Sequence, residues 1–261
     1  MRPAPAIPTT GPTASRGGRS SRRVRNDPRQ YDDLAAEWWR PRGAFQTLHW
    51  IAAARARAIP TATPTATTTA VRPGALLVDV ACGGGLLAPH IARSGYRHLG
   101  IDLSAPSLRL AAGHGVLPVR ADARRLPLPD EVADVVVAGE MLEHVPDLSA
   151  VLSELARILR PGGILVLDTL ADTALARFIT ITVGERIRGV PAGLHDGALY
   201  VDRARLVREA AGHHIALRLT GLRPAVLDVA AWLLRRRPDV RMVPTRLTSV
   251  LFQAVGRKEV P

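Results

Sequence analysis

The hydrophobic rhythm of the chain changes three times. Over residues 31–57, Leu34, Trp38, Phe45, Leu48 and Ile51 recur at near-helical intervals, broken at 41–43 by a Pro-Arg-Gly turn. This predicts two short helices. A stretch of Pro, Thr and Ala follows at 60–74 and reads as a linker. From residue 75 the pattern becomes short apolar runs alternating with helical periods. Strands are predicted at 75–81, 98–102, 116–120, 132–138 and 164–167. Helices are predicted at 86–94, at 104–112 with Ser104 as cap, and at 148–159, stopped by Pro161-Gly162-Gly163. The last third is less regular. A helix is expected over 171–190, with Leu175, Phe178, Ile179, Val183, Ile187 and Val190 on one stripe. A second is expected from the Asp202 cap to residue 211, and an insertion helix at 225–236. Final strands are expected at 215–219 and 250–255. Strands alternating with helices imply a doubly wound α/β fold: a mostly parallel, seven-stranded sheet with helices on both faces. The domain then spans 75–258, preceded by a helical segment at 31–59.

Composition narrows this picture. Aromatics are 4% of the 261 residues, so the core must rest on aliphatic side chains. One cysteine, Cys82, excludes a disulfide framework and any multi-cysteine zinc site. No apolar run reaches the roughly 20 residues of a membrane-spanning helix. The net charge is +12, and nearly all of it is arginine. It gathers in residues 1–30, predicted to be a disordered tail, and at Arg235, Arg236, Arg237, Arg241 and Arg246. The tail is poor in acids, as organelle transit peptides are, but a solvated tail is the simpler reading. No aromatics are interleaved with these arginines to stack bases, so nucleic acid is disfavoured as a partner.

The candidate chemistry lies in the loops after the strands. VDVACGGG ends a strand in a glycine turn and opens a helix. Gly83 and Gly85 leave room for a ligand at backbone N–H groups, and Asp79 can order the loop. The spacing is not G-x-G-x-x-G, which disfavours a nicotinamide dinucleotide. Asp102, about 20 residues on, can accept hydrogen bonds from ribose hydroxyls. Asp122, after the third strand, can meet an adenine amino group.

These motifs resemble the class I S-adenosylmethionine (SAM) methyltransferases, on DVACGGG, GIDLS, ADA and LRPGG in order. Ala81 stands where that family usually has its first glycine. EMLEHVPD, WWRPRGAFQTLHWI and VPAGLHD resemble, more narrowly, the ubiquinone-biosynthesis O-methyltransferases. The resemblance implies SAM as cofactor, with contacts at Arg55, Asp79, Ala81, Gly83, Gly85, Asp102, Leu103, Asp122 and Gly139. It also implies a phenolic or quinone-type small molecule as methyl acceptor. Leu194 and the arginine-rich insertion near Arg235 depart from the family pattern.

A phenol has a pKa near 10 and needs a base or a cation to become a nucleophile. The candidates are His144, Glu140 and His195, the last paired with Asp196. Glu140, Glu143 and His144 are spaced i, i+3, i+4 and are also a candidate Mg²⁺ site; some members of the resembled family bind Mg²⁺ through the matching residues. The alternative is that Glu140 touches the cofactor while the other two merely open a helix. Segment 171–200 is expected to be either a lid over the site or, through 171–190, a peripheral membrane contact of an otherwise cytoplasmic enzyme. Competing functions are methylation of another metabolite such as a polyketide, at O, N or C, a noncatalytic adenosyl-ligand binder, and an arginine-rich scaffold. Nothing in the sequence sets the oligomeric state.

Overall fold

A computed structural model describes residues 25–62, 74–186 and 191–260. Most of the tail, the middle of the linker, and Ile187 and Val190 of the expected stripe lie outside these residues. In chain order the elements are α1 (Arg29–Asp33), α2 (Gln46–Ala56), β1 (Leu76–Val80), α3 (Ala88–Ile91), β2 (Arg97–Asp102), α4 (Ala105–Gly113), β3 (Leu117–Arg120) and β4 (Ala133–Gly139). Then come α5 (Leu148–Ile158), β5 (Leu159–Leu170), α6 (Ala174–Arg177), α7 (Arg203–Gly212), β6 (Ile215–Pro224), α8 (Val226–Leu233), β7 (Met242–Thr245) and β8 (Leu251–Lys258).

The sheet has eight strands in the order β3-β2-β1-β4-β5-β8-β6-β7. The five on the β3 side pair in parallel. β8 and β7 run against their neighbours. The sequence predicted seven strands. The eighth is β7, a short edge strand carrying Pro244, which donates no ladder hydrogen bond and breaks the alternating signal. β1 and β4 are apolar because both faces are covered, and Leu77, Val78, Val135 and Val136 are inaccessible to solvent. The main core joins them to Leu152, Leu155 and Ile158 of α5, Leu206 of α7 and Phe252 of β8.

Two helix starts follow the expected caps: Ser104 accepts from the Ser107 N–H and Asp202 from Arg205. Asp147, not singled out from the sequence, caps α5 by accepting from Ala150. Three expectations need correction. The helix expected at 86–94 is only Ala88–Ile91. The Pro161-Gly162-Gly163 stop falls inside β5, where the register against β4 shifts. Segment 171–190 is not one helix. After α6 it widens into a π-helical stretch, Phe178–Val183, and tightens at Gly184–Arg186. Thr180 Oγ1 donates to the Ala176 carbonyl (2.7 Å) and competes for the regular helix ladder.

The strand order reverses between β1 and β4, and ligands of open α/β sheets bind outside the carboxyl ends of the strands at such a point. Asp102, Gly139 and Asp168 end or approach the ends of β2, β4 and β5 there, with Gly139 opposite Asp168 in register. The sequence-predicted site residues are therefore delivered to one edge.

Candidate active site

The loop after β1 turns sharply. Ala81, Gly83 and Gly85 have φ of 58°, 52° and 80°. Only glycine adopts this region without penalty, so Ala81 carries strain. Ala81→Gly is expected to raise stability by about 1 kcal/mol, the left-handed cost less the extra chain entropy of glycine. Urea unfolding should show a higher midpoint; a lower one would mean the methyl group packs favourably.

The glycines are also required by packing. A Cβ on Gly83 or Gly84 would lie 2.4 or 2.6 Å from the Trp38 indole, and one on Gly85 2.9 Å from Ala111. Trp38 stacks on Phe45 (4.3 Å between centroids), and its Nε1 donates to Ser107 Oγ (2.9 Å). Trp39 Nε1 donates to the Gly84 carbonyl. The segment before α2 therefore lies directly against the glycine loop. His49 anchors it through the Trp38 carbonyl (2.7 Å).

Asp102 orders the loop from the other side. One oxygen accepts from the Gly83 N–H (2.9 Å) and the other from Ser104 (2.8 Å). Burial nevertheless holds its pKa above the usual range. Asp79 is buried and faces His98 at 3.3 Å. Leu103 is exposed at the mouth. Asp122 pairs with Arg124 (2.6 Å), which lowers its pKa. Cys82 is buried, and burial pushes its thiol up, as suits a packing residue.

At the floor, the Arg55 guanidinium grips Asp168 with two parallel bonds of 2.6 and 2.7 Å. Arg55 fits only because position 139 is glycine; a Cβ there would be 1.8 Å from the guanidinium carbon. Burial opposes the Arg55 charge, but Asp168, helped by Asp79 and Glu140, outweighs it and raises its pKa.

Beside this pair lie the EMLEH residues. Glu140 also has positive φ (51°), and its N–H donates to the Asp168 carbonyl. Backbone strain in a non-glycine residue is common at functional sites. Glu143 is fully buried and accepts from Thr169 Oγ1 (2.7 Å). Each glutamate keeps one buried oxygen, Oε1, without a partner. Burial pushes Glu143 up to about 7, and burial plus repulsion from Glu143 and Asp168 raises Glu140 further.

His144 has both ring nitrogens engaged. The Asn26 amide donates to the His144 carbonyl (2.8 Å), so its oxygen faces Nδ1 at 2.6 Å. Nδ1 therefore carries the proton, and Nε2 accepts from the Tyr31 hydroxyl at 3.2 Å. Burial lowers His144 to about 3, keeping the ring neutral. His195 stacks on it at 5.4 Å, its Nδ1 buried and unpartnered. The expected His195–Asp196 pair does not form. Asp196 instead caps the short turn Gly197–Leu199 through the Ala198 N–H.

The three-residue Mg²⁺ set does not assemble either. Among the described residues no group of three His, Cys, Asp or Glu is arranged to hold a metal. Asn26, Tyr31, Asp168 and Thr169 were not singled out from the sequence. An aspartate inside the apolar run of β5 was the one local signal.

Comparison with known proteins places this edge in context. A profile described as a methyltransferase domain matches residues 78–167. The chain is 35% identical over 189 residues to the ubiquinone biosynthesis O-methyltransferase of Thiobacillus denitrificans, covering 69% of this chain and 78% of the relative. It is 34% identical over 207 residues to the protein of the same name from Ralstonia nicotianae, covering 76% and 81%. Among solved structures it is similar to a SAM-dependent methyltransferase of Thermotoga maritima (TM-score 0.59, 16% identity, 88% of this chain and 98% of that one). Another from Aquifex aeolicus gives 0.54 at 14% identity, covering 89% and 98%. These structural likenesses speak for the fold.

Proposed function

The chain belongs to the ubiquinone biosynthesis O-methyltransferase family, and on that premise we propose that it transfers a methyl group from SAM to a catechol-type hydroxyl of a quinone precursor. When bound, SAM supplies an electrophilic methyl group on a sulfonium. The groups that would hold such a ligand are the Asp102 carboxylate, which accepts from the Gly83 N–H and keeps lone pairs for a ribose, and the Arg55 guanidinium, which holds Asp168 through Nε and Nη2 and keeps Nη1 for a carboxylate. Asp122, Leu103 and Gly139 complete the proposed cofactor surface.

The observation that carries the acceptor chemistry is the neutral Nε2 of His144, already holding a phenol. Tyr31 donates its hydroxyl there inside the crevice, and the acceptor hydroxyl takes over that bond. Asn26 fixes the ring tautomer that turns the Nε2 lone pair toward that hydroxyl; burial makes it a weak base, so the proton passes to it as the oxygen gains the methyl group and becomes strongly acidic. His195, stacked on His144, forms the adjoining wall. The Glu140–Glu143 pair retains a proton, since burial and the repulsion between them keep the two carboxylates from ionising together. No step requires a cation. The exposed Leu175, Phe178, Ile179 and Val183 support contact of this segment with a membrane surface, from which a prenylated acceptor would be drawn.

Transfer of labelled methyl to a panel of catechols tests the reading. Turnover is expected with a catechol and to persist in EDTA. His144→Ala should lower kcat by about 100-fold or more, the usual worth of a general base, with little change in SAM affinity. EDTA inactivation reversed by Mg²⁺ would place a cation between the glutamates and overturn the retained proton. An equal loss of SAM binding would move His144 to the cofactor site.

A further inference from the structure

α8 is an inside-out amphipathic helix. Its apolar stripe is Val226, Leu227, Ala230, Leu233 and Leu234, at i, i+1, i+4, i+7 and i+8. In an ordinary surface helix that stripe faces the core. Here Val226 is 71% exposed, Leu227 83%, Leu233 65% and Leu234 64%. The polar side faces inward and is locked there. Asp228 is 3% exposed and is held by the Arg241 side chain (2.6 Å), the Arg241 N–H (3.2 Å) and Arg237 (3.4 Å). Trp232 meets Trp50 edge to face at 5.3 Å, and the Arg42 guanidinium lies over its ring at 4.7 Å. Arg42 also donates to the Trp232 carbonyl (2.9 Å). Rotating the helix to bury its leucines would break all of these contacts. The outward stripe is thus built in.

The surroundings select what covers it. Between Arg223 and Arg241 there are five arginines and two aspartates, and one of the aspartates, Asp228, is buried. Arg235 and Arg236 follow the stripe directly and are exposed; neither forms an ion pair among the described residues. Self-association through the stripe would bring these arginines together with only the exposed Asp239 of each copy to pair them. An anionic bilayer offers both an apolar layer for the leucines and negative headgroups for the arginines.

We propose that α8 is a docking helix for an anionic lipid surface, lying in the interface with Val226, Leu227, Leu233 and Leu234 inserted and Arg223, Arg235 and Arg236 at headgroup level. It is separate from the Leu175–Val183 stripe, and it does not depend on which acceptor is methylated.

Flotation of the full chain with vesicles tests this. One set is phosphatidylcholine alone; the other contains phosphatidylglycerol as well. Wild type should float with the anionic vesicles, less so at high salt, and stay behind with the neutral ones. Arg235→Glu/Arg236→Glu should weaken binding about fivefold or more per arginine. Leu227→Ser/Leu234→Ser should weaken it roughly tenfold or more. Both variants change only exposed side chains, so unfolding midpoints and turnover on a water-soluble catechol should stay at wild-type values. Phe178→Ser/Ile179→Ser reports on the other stripe and should leave a substantial part of the binding. Three results would overturn the proposal: no flotation of wild type with anionic vesicles; α8 variants that float undiminished; or a dimer in light scattering that Leu227→Ser/Leu234→Ser dissolves, which would make a second copy the occupant.

Discussion

Asp168→Asn should cost the fold about 3 kcal/mol. Removing one partner of a buried ion pair typically costs 3–5 kcal/mol, because the other charge is left uncompensated in a desolvated site. The low end applies here, since Asp79 and Glu140 also face the Arg55 guanidinium. For a domain of this size 1 kcal/mol moves Tm by about 2–4 °C, so thermal unfolding should fall by roughly 10 °C. The double variant Arg55→Met/Asp168→Leu should recover most of that loss, because an apolar pair of similar volume needs no counter-charge. It should also lose SAM affinity, since the guanidinium is assigned to the cofactor. A single variant within about 1 kcal/mol of wild type would show that solvent reaches Arg55.

The second large effect has the opposite sign. Glu143→Gln should stabilise the protein at alkaline pH. Glu143 sits at about 7 in the folded chain against an ordinary value of 4.5. Between those values the folded state keeps a proton that the unfolded state has released. The Glu143 part of wild-type stability therefore falls as pH rises from about 4.5 to about 7, and the raised Glu140 adds a fall of the same sign. A tenfold difference in proton affinity between the two states is worth about 1.4 kcal/mol, so the Glu143 part of the loss is on the order of 3 kcal/mol. The step belongs to the Glu140–Glu143 pair. Glutamine cannot ionise and still accepts from Thr169, so the variant should lose the Glu143 part of this fall and keep the part that burial of Glu140 causes. Denaturation at pH 4 and pH 8 would show near-equal stability at the first and a clear gain over wild type at the second. Parallel curves for the two proteins would mean the pair is not buried in solution.

Much of this site was legible because its parts are local in sequence. The glycine turn follows its strand directly, and Asp102 ends the next strand, so period and punctuation place both at one edge. What escaped depends on distant partners. Asp168 meets Arg55 across 113 positions, and Asn26 meets His144 across 118. Asn26 lies in an arginine-rich stretch whose composition reads as a disordered tail. Asp196 adjoins His195 in sequence, yet its carboxylate is taken by the N–H two residues on, a common competing use of aspartate. The EMLEH spacing puts three candidate ligands on one turn, but spacing does not report which lone pairs neighbours have already taken. The sequence marked an insertion helix at 225–236 without saying which side faces out; that is decided by Asp228, Arg241 and Trp50 together.

The central claim is that the β1 turn and the Asp102 carboxylate form a SAM crevice within reach of His144. Titration calorimetry of the demethylated cofactor into wild type and Asp102→Ala tests it most directly. Wild type should bind one molecule per chain, and the variant should bind at least about tenfold more weakly, as expected for losing hydrogen bonds to a charged group. Equal affinity in the two proteins, or no heat with either, would contradict the account.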